Sequence, residues 1–284
     1  MAHRYDHSVD ISSENHSAAA VYRFVGTGRR VLDVGGATGN LGRALTEAGN
    51  VVTVIDVDPA AVELAAVGTA RAITVDLESQ SLTQVLAGEQ FDVVVFADVL
   101  EHLRNPAAVL RDAVALLADG GFVVISVPNV AHADVRLMLL EGRWETAEIG
   151  LLDDTHLRWF TLESLARLVE SNGLHIADIQ RITRPLFHAD LGVRADNHSR
   201  RLTSILLADP EAETFQFVVR CIEGHGVGVV PLPTTLGTAT LDEEADRLAQ
   251  RVRDVERGPV WWVLVRIARV FRGLRRRLLT LGRR

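Results

Sequence analysis

One glycine-rich segment constrains the fold of this 284-residue chain more than any other feature. Residues 31–42 read Val-Leu-Asp-Val-Gly-Gly-Ala-Thr-Gly-Asn-Leu-Gly, which is a β-branched apolar run, a glycine turn and the start of a helix. Glycines at such a turn let the backbone approach a ligand closely, in the crevice beyond the carboxyl ends of parallel strands. The segment therefore predicts an α/β sheet with a ligand site at one edge.

The sequence around this segment alternates between strand-like and helix-like stretches. Near-continuous β-branched runs predict strands at 31–34, 51–56, 72–75, 91–96 and 121–127. Helical stretches are expected between them, at 41–48, 59–66 and 107–117, and a helix at 162–171 and a strand at 215–222 complete the domain. Apolar strands alternating with helices predict a doubly wound, mostly parallel sheet covered on both faces.

The predicted domain organisation follows from composition. Residues 1–28 are polar and include a helix around 13–25, residues 29–222 form the α/β domain, and residues 129–160 form an insertion within it. Residues 223–240 are rich in Gly, Pro and Thr and read as a linker, and residues 241–284 read as a helical, arginine-rich tail.

Two cofactor families share this kind of turn. Read from Gly36, the turn is similar to that of short-chain dehydrogenase-like proteins, whose catalytic members use a Tyr-x-x-x-Lys pair. This chain has no lysine, and its tyrosines are Tyr5 and Tyr22. That resemblance allows at most a non-catalytic nicotinamide binder.

Read from Asp33, the string Asp-Val-Gly-Gly-Ala-Thr-Gly resembles motif I of class I S-adenosylmethionine-dependent methyltransferases. This cofactor carries a sulfonium and an ammonium but no pyrophosphate, so a carboxylate is useful beside it. The resemblance implies cofactor contacts from Asp33, Gly35, Gly36 and Gly39. Ala37 replaces the middle glycine, and we expect this to be harmless because alanine is small.

Later landmarks strengthen the resemblance. Asp56 ends the second predicted strand, where it would accept hydrogen bonds from ribose hydroxyls. Asp76 follows the third strand, and residues 91–98 and 116–129 resemble the later motifs of the family. The resemblance implies a seven-stranded, Rossmann-like sheet with a helical N-terminal lid, and further cofactor contacts from Asp56, Val57, Asp76, Leu77 and Ala97.

A possible metal site follows the fourth strand. The turn Asp98-Val-Leu-Glu101-His102 and the distant His156 resemble the divalent-metal site of small-RNA 2′-O-methyltransferases. Ubiquinone-pathway O-methyltransferases are similar in the first half of this pattern, the turn. The resemblance implies Mg²⁺ or Mn²⁺ on Asp98, Glu101, His102 and His156. A bound cation would lower the pKa of an acceptor hydroxyl and orient it.

A metal-free interpretation stays open. In many relatives the Glu-His pair packs against the lid, and His156 or His102 would then be the general base. Asp153 and Asp154 are reserve candidates, although acids that precede a helix usually cap it.

The insertion is expected to bind the acceptor. His132, Arg136, Arg143 and Trp144 offer an indole face and guanidinium forks, which suit sugar rings and their anionic attachments. Residues 137–140 have the spacing of a core helix, and Trp144 could simply cover it. Residues 126–161 resemble methyltransferases of sugar and polysaccharide biosynthesis, which implies a sugar hydroxyl as acceptor.

The two ends bear on location and partners. The start is polar, no run approaches the roughly 20 apolar residues of a membrane span, and Cys221 is the single cysteine, so we expect a cytoplasmic protein. From residue 259 onward there are eight arginines and no acid, which leaves about −15 on the rest of a chain of net charge −7. This amphipathic tail predicts a membrane-surface or protein contact, and the acidic body argues against nucleic acid.

Taken together, the sequence predicts an O-methyltransferase that works by in-line displacement on a sugar hydroxyl, with metal assistance. Two alternatives remain: a metal-independent N- or C-methyltransferase of a small molecule, and a catalytically silent cofactor-binding partner protein. The oligomeric state is left open.

Overall fold

The computed structural model describes residues 9–224 of the chain. Three parts of the chain lie outside these residues: the first eight residues with Tyr5, the linker beyond residue 224, and the arginine-rich tail. The predicted linker and the predicted membrane-surface or protein contact of the tail therefore stay predictions. Within the described part, no helix has both the length and the apolar character needed to cross a membrane.

Seven strands form one sheet in the order β3-β2-β1-β4-β5-β7-β6. Their bounds are β1 Arg30–Val34, β2 Val51–Asp56, β3 Arg71–Thr74, β4 Phe91–Ala97, β5 Leu117–Pro128, β6 Leu174–Thr183 and β7 Thr214–Glu223. β7 pairs antiparallel with both β5 and β6, and the pairs among β1 to β5 are parallel. The predicted mostly parallel, seven-stranded Rossmann-like sheet is confirmed.

Eight α-helices connect and flank the strands within residues 9–224. They are α1 Ser17–Val25, α2 Asn40–Glu47, α3 Pro59–Ala65, α4 Leu82–Val85, α5 Pro106–Ala115, α6 Ala133–Leu140, α7 Leu162–Glu170 and α8 Arg200–Leu207. Short 3-10 turns lie at Leu100–His102 and Ala195–Asn197. The sequence patterns did not predict β6, α4 or α8. Strand β6 mixes polar with apolar residues and is only partly buried, and α4 is a single turn.

The core has two faces because alternate strand residues point to opposite sides of the sheet. On one face, Val52 and Val54 of β2 join a cluster with α1 and α2. On the other, Ile55 joins a cluster with α4, α5 and α7. A third apolar cluster joins α6, α8 and the segments around residues 151 and 186.

The N-terminal helix is part of this core. Ala20 and Val21 of α1 are fully buried against the sheet. Ahead of the helix, the Asn15 side chain pairs with the backbone of Thr183, donating to its carbonyl at 2.9 Å and accepting from its nitrogen at 2.8 Å. Residues 15–25 of the predicted lid are therefore fixed to the sheet. Closure over the cofactor by the residues before them stays a prediction.

The strand order fixes where a ligand can enter. β1 lies between β2 and β4, and the connections from β1 and β4 leave toward opposite faces of the sheet. A crevice opens at such a switch point, beyond the carboxyl ends of the strands. The glycine turn after β1 and the acidic turn after β4 thus meet at one edge.

Candidate active site

The glycine turn after β1 has the geometry that the sequence predicts. Gly35 and Gly39 have φ of 69° and 78°, in the left-handed region that favours glycine. A Cβ on Gly35 would lie 2.6 Å from a methyl of Val99, and one on Gly36 would lie 2.7 Å from the Asp33 carboxylate. These positions therefore need glycine, and the contact with Val99 joins the turn directly to the loop after β4.

Ala37 is not the harmless replacement that we expected. Its φ is 47°, again in the left-handed region, where an L-residue with a Cβ is strained by about 1–2 kcal/mol. The size of the methyl group is not the issue, since the cost is set by the backbone conformation. The turn tolerates this strain because its backbone is held from outside.

Asp33 lies beneath the turn and is 1% exposed. Among residues 9–224, neither carboxylate oxygen has a hydrogen-bond partner. Burial, and to a lesser extent the nearby charge of Asp56, together raise the pKa of Asp33 to about 7. A buried acid without a donor fits the neighbourhood of a cationic ligand.

Asp56, at the end of β2, holds the turn in place. Its carboxylate accepts from the backbone nitrogen of Ala37 at 2.8 Å and from that of Asp58 at 3.0 Å. An ionised carboxylate has about four acceptor positions, so about two remain for ligand hydroxyls. Val57, the next residue, is 63% exposed and offers an apolar surface beside it.

The remaining predicted cofactor residues lie at neighbouring strand ends. Asp76 follows β3 and accepts from the Glu78 nitrogen at 3.0 Å and the Ser79 hydroxyl at 2.8 Å, and the Ser79 bond contributes most to lowering its pKa. Leu77 is half-buried, and Ala97 ends β4. Their positions are compatible with the cofactor contacts that the resemblance implies.

Asp98 begins the second half of the site. It has a φ of 59°, and its carboxylate accepts hydrogen bonds from the Ser126 hydroxyl and the Gln216 side-chain amide. Desolvation by surrounding protein raises its pKa and those two bonds lower it, and the balance is a pKa of about 6. The residue stays exposed on one side, so solvent offsets part of this shift. Sequence reasoning missed Gln216, although it is a polar residue within the apolar β7.

The structure gathers three of the four predicted metal ligands. Glu101, His102 and His156 each offer one ligand atom, and these atoms lie within 4.8 Å of one another. Asp98 is not in this group and is held by Ser126 and Gln216 instead. The Glu101–His102–His156 group is called the acid–histidine cluster below.

Glu101 is the buried centre of this cluster. It is 1% exposed, and within residues 9–224 its carboxylate oxygens have no hydrogen-bond partner. Desolvation raises its pKa well above the usual range, and the charges of Asp98 and Asp153 raise it further. A cation or a donor from a ligand would relieve the cost of ionising it.

The insertion delivers His156 to the cluster through backbone contacts. The nitrogens of Leu157 and Arg158 donate to the Glu101 carbonyl at 2.8 and 2.9 Å. The Thr155 hydroxyl meets His102 Nδ1 at 3.0 Å. Residues that are more than fifty positions apart are thereby fixed side by side.

A series of rings leads away from the cluster. His102 and His156 have centroids 4.8 Å apart, His156 and Trp159 5.3 Å, and Trp159 and Trp144 5.2 Å. Trp144 is 45% exposed. This ring series runs from the cluster to the surface, and its member Trp159 was missed by sequence reasoning, although its aromatic type in the insertion was a signal.

Three predicted acceptor residues have structural bonds instead. His132 is fully buried, accepts from the Asp134 nitrogen at 3.1 Å and contacts the Arg184 carbonyl at 2.9 Å. Arg136 bonds Asp209 at 2.6 Å, and Arg143 bonds Glu141 at 2.8 Å. The predicted acceptor contact of His132 is unsupported because its ring is enclosed by protein, and both arginines already have acidic partners.

With this geometry described, comparison with known proteins identifies the family. A methyltransferase domain model matches residues 9–179, which is more than half of the chain. The chain therefore belongs to the methyltransferase domain family, as the resemblance of its motifs implied.

Curated relatives are similar in sequence, and solved structures are similar in fold. The chain is 30% identical to a ubiquinone biosynthesis O-methyltransferase of Xylella fastidiosa, in an alignment that covers 54% of this chain and 63% of the relative. It is 39% identical to a protein of the same name from Xanthomonas campestris, in an alignment that covers 41% of this chain and 50% of the relative. It thus spans less than two thirds of these relatives. A SAM-dependent methyltransferase from Archaeoglobus fulgidus has a TM-score of 0.53 at 17% identity, with 74% of this chain and 94% of that one covered. CcbJ methyltransferase from Streptomyces caelestis has a TM-score of 0.51 at 15% identity, covering 78% and 95%.

Proposed function

We propose that this chain transfers a methyl group from S-adenosylmethionine to a hydroxyl oxygen of an acceptor bound between the glycine turn and the insertion. The observation that carries the proposal is the contact of the glycine turn with the loop after β4. A Cβ on Gly35 would collide with Val99, two residues before Glu101. This contact supports a single crevice that contains both the cofactor site and the acid–histidine cluster.

The cofactor fits the residues present. Asp33 supplies a buried carboxylate beneath the turn, and Asp56 keeps acceptor positions for ribose hydroxyls. A diphosphate would be repelled by these acids, whereas the sulfonium and ammonium of S-adenosylmethionine are attracted. When bound, this cofactor supplies an electrophilic methyl group. The protein holds donor and acceptor in line, which is a large part of such an acceleration.

The acid–histidine cluster is suited to managing the hydroxyl proton. Ligands on opposite sides of Mg²⁺ are about 4.2 Å apart, so ligand atoms within 4.8 Å could close on a cation with small movements. The mixed oxygen and nitrogen set also admits Mn²⁺ or Zn²⁺. Glu101, His102 and His156 would hold the ion, with Asp98 close enough to influence Glu101 electrostatically. Without a cation, His102 or His156 would accept the proton directly.

The ring series supports an acceptor that carries a ring. A sugar hydroxyl, as the sequence resemblance implies, would stack its ring on Trp144. A second candidate is a hydroxyl of a ubiquinone precursor, which the names of the relatives at 30–39% identity favour. Both acceptors use the same cluster and differ in what contacts the tryptophans.

Calorimetry and labelled methyl transfer test the proposal. S-adenosylhomocysteine should bind the wild-type protein, and labelled methyl from S-adenosylmethionine should appear on one of two acceptor panels, sugars or phenols. Glu101→Gln should abolish Mg²⁺ stimulation and keep S-adenosylhomocysteine binding. Glu89→Gln, which alters surface ion pairs with Arg71 and Arg30, is the matched control. Absence of heat with S-adenosylhomocysteine would refute the proposal.

Inhibition by EDTA separates the two proton-handling routes. If EDTA abolishes transfer and Mg²⁺ or Mn²⁺ restores it, the cluster holds a cation. Transfer that is unaffected by EDTA but lost in His102→Asn or His156→Asn assigns the proton to a histidine.

A further inference from the structure

We propose that Thr155, supported by Asp153, is a positioning residue that fixes His102 in the tautomer with its proton on Nδ1. His102 Nε2 then carries the lone pair. The proposal deepens the proposed function, since it assigns how the cluster prepares this nitrogen to bind a cation or accept a proton.

The hydrogen-bond directions require a proton on His102 Nδ1, which in a neutral ring is this tautomer. The Thr155 hydroxyl donates to Asp153 Oδ1 at 2.6 Å, and the same oxygen accepts from the Thr155 backbone nitrogen at 2.8 Å. A hydroxyl has one proton, so Thr155 Oγ1 can only accept at its 3.0 Å contact with His102 Nδ1. The ring nitrogen is therefore the donor.

A second contact gives the same direction independently. The Thr155 backbone carbonyl lies 3.4 Å from His102 Nδ1. A carbonyl oxygen can only accept, so it too requires a proton on Nδ1. In neutral imidazole one nitrogen donates and the other accepts, which leaves Nε2 as the acceptor.

Asp153 makes the arrangement rigid. It is 3% exposed, and it fixes both the backbone and the hydroxyl of Thr155. The Asp153–Thr155–His102 relay thus has the form of the carboxylate-supported histidines found beside protein metal sites, where the outer partner sets ring orientation and basicity. Here a hydroxyl is interposed between acid and ring.

The relay is tested by the two-bond ¹H–¹⁵N spectrum of the full-length, ¹⁵N-labelled protein at pH 8, with His102→Asn used to assign the ring signals. Wild type should show the Nδ1–H pattern for His102. Thr155→Val keeps the shape but removes the hydroxyl, so that only the 3.4 Å carbonyl contact still favours a proton on Nδ1. An Nε2–H population should therefore appear beside the Nδ1–H pattern. Thr155→Ser should retain the wild-type pattern.

Thr203→Val is the matched control, because its hydroxyl bonds only within α8, to the Arg200 carbonyl at 2.9 Å. It should leave the His102 signals unchanged. Thr155 is exposed, so its variants should unfold near the wild-type temperature.

Turnover provides the second readout. Thr155→Val should lower kcat about 10-fold with the KM for S-adenosylmethionine unchanged, and Thr155→Ser should restore it. An Nε2–H pattern in wild type, or identical spectra for wild type and Thr155→Val, would overturn the inference. Failure of S-adenosylhomocysteine to bind would instead overturn the proposed function and leave the tautomer result intact.

Discussion

Asp56 Oδ2 accepts a 2.8 Å hydrogen bond from the backbone nitrogen of Ala37, so the end of β2 holds the turn that follows β1. Ala37 is the residue of that turn with an unfavourable positive φ. Asp56 therefore has two tasks: it stabilises the strained turn, and it faces the proposed ribose position. Removing it should affect both stability and cofactor binding.

Asp56→Ala should weaken S-adenosylhomocysteine binding at least 10-fold and lower the free energy of unfolding by about 1.5–3 kcal/mol. The loss of stability follows from removing hydrogen bonds to a charged group. Calorimetry and urea unfolding measure the two effects. Ser199→Ala, which removes the N-cap of α8, should cost about 1 kcal/mol without changing affinity. Unchanged affinity in Asp56→Ala would contradict the assigned position of the ribose.

Asp33 should make the ligand-free protein less stable as the pH rises. Its folded pKa of about 7 is above the ordinary 3.8, so the protonated form is favoured in the folded state. The stabilisation is complete below about pH 4 and is lost as the pH rises to 7, by up to about 4 kcal/mol.

Urea unfolding of Asp33→Asn at pH 4 and pH 8 tests this. The variant should lose less stability than wild type between the two pH values, because it has no proton to release. Asp119→Asn, an exposed residue in β5, should follow wild type. Parallel profiles for wild type and Asp33→Asn would show that the buried acid does not control the pH dependence.

His132→Ala should act on stability rather than on the acceptor. The ring is fully buried, caps α6 through Nδ1 and contacts the Arg184 carbonyl through Nε2. Its removal leaves a cavity and an unpaired carbonyl, with an expected cost of about 2–4 kcal/mol. Thermal unfolding measures this cost. His132→Asn keeps a capping side chain and should recover part of it, and a raised acceptor KM at unchanged stability would restore the original substrate interpretation.

Trp144→Ala should raise the acceptor KM about 10-fold with little change in S-adenosylhomocysteine affinity. Trp144 is at the outer end of the ring series and is 45% exposed, so its loss should cost little stability. Leu207→Ala is a matched control, since Leu207 is also 45% exposed but lies on α8. Steady-state kinetics with the identified acceptor measure the effect. Equal KM values for both variants would remove Trp144 from the acceptor site.

Much of the site could be predicted from local sequence. The β-branched runs locate β1, β2 and β4 to within one residue. Asp33 is one residue before the end of β1, Asp56 ends β2, and Asp98 directly follows β4. Helix α6 includes the stretch 137–140 that was expected to be core, although only Leu137 and Met138 are buried and the two following leucines are exposed. These features are local, because strand periodicity and glycine conformation are properties of neighbouring residues.

Other features needed the folded chain. Sequence could not show that Gln216 of β7 bonds Asp98 across 118 positions, nor that Thr155 bonds His102 across 53. It also could not show that His132 is buried beside Phe215 and the segment after β6, and its predicted contact with the acceptor stays a prediction.

The sequence by itself determined most strands and helices of the α/β domain, although not β6, α4 or α8, and it placed acids at or near the strand ends. Parallel pairing then brings those ends to one edge. The tertiary structure decided which side chains meet at that edge, which polar atoms find partners and which stay unpaired, as in Asp33 and Glu101 within the described residues. The physical reason is that these outcomes depend on contacts between segments far apart in the chain, and the local sequence of one segment does not specify which other segment it will contact.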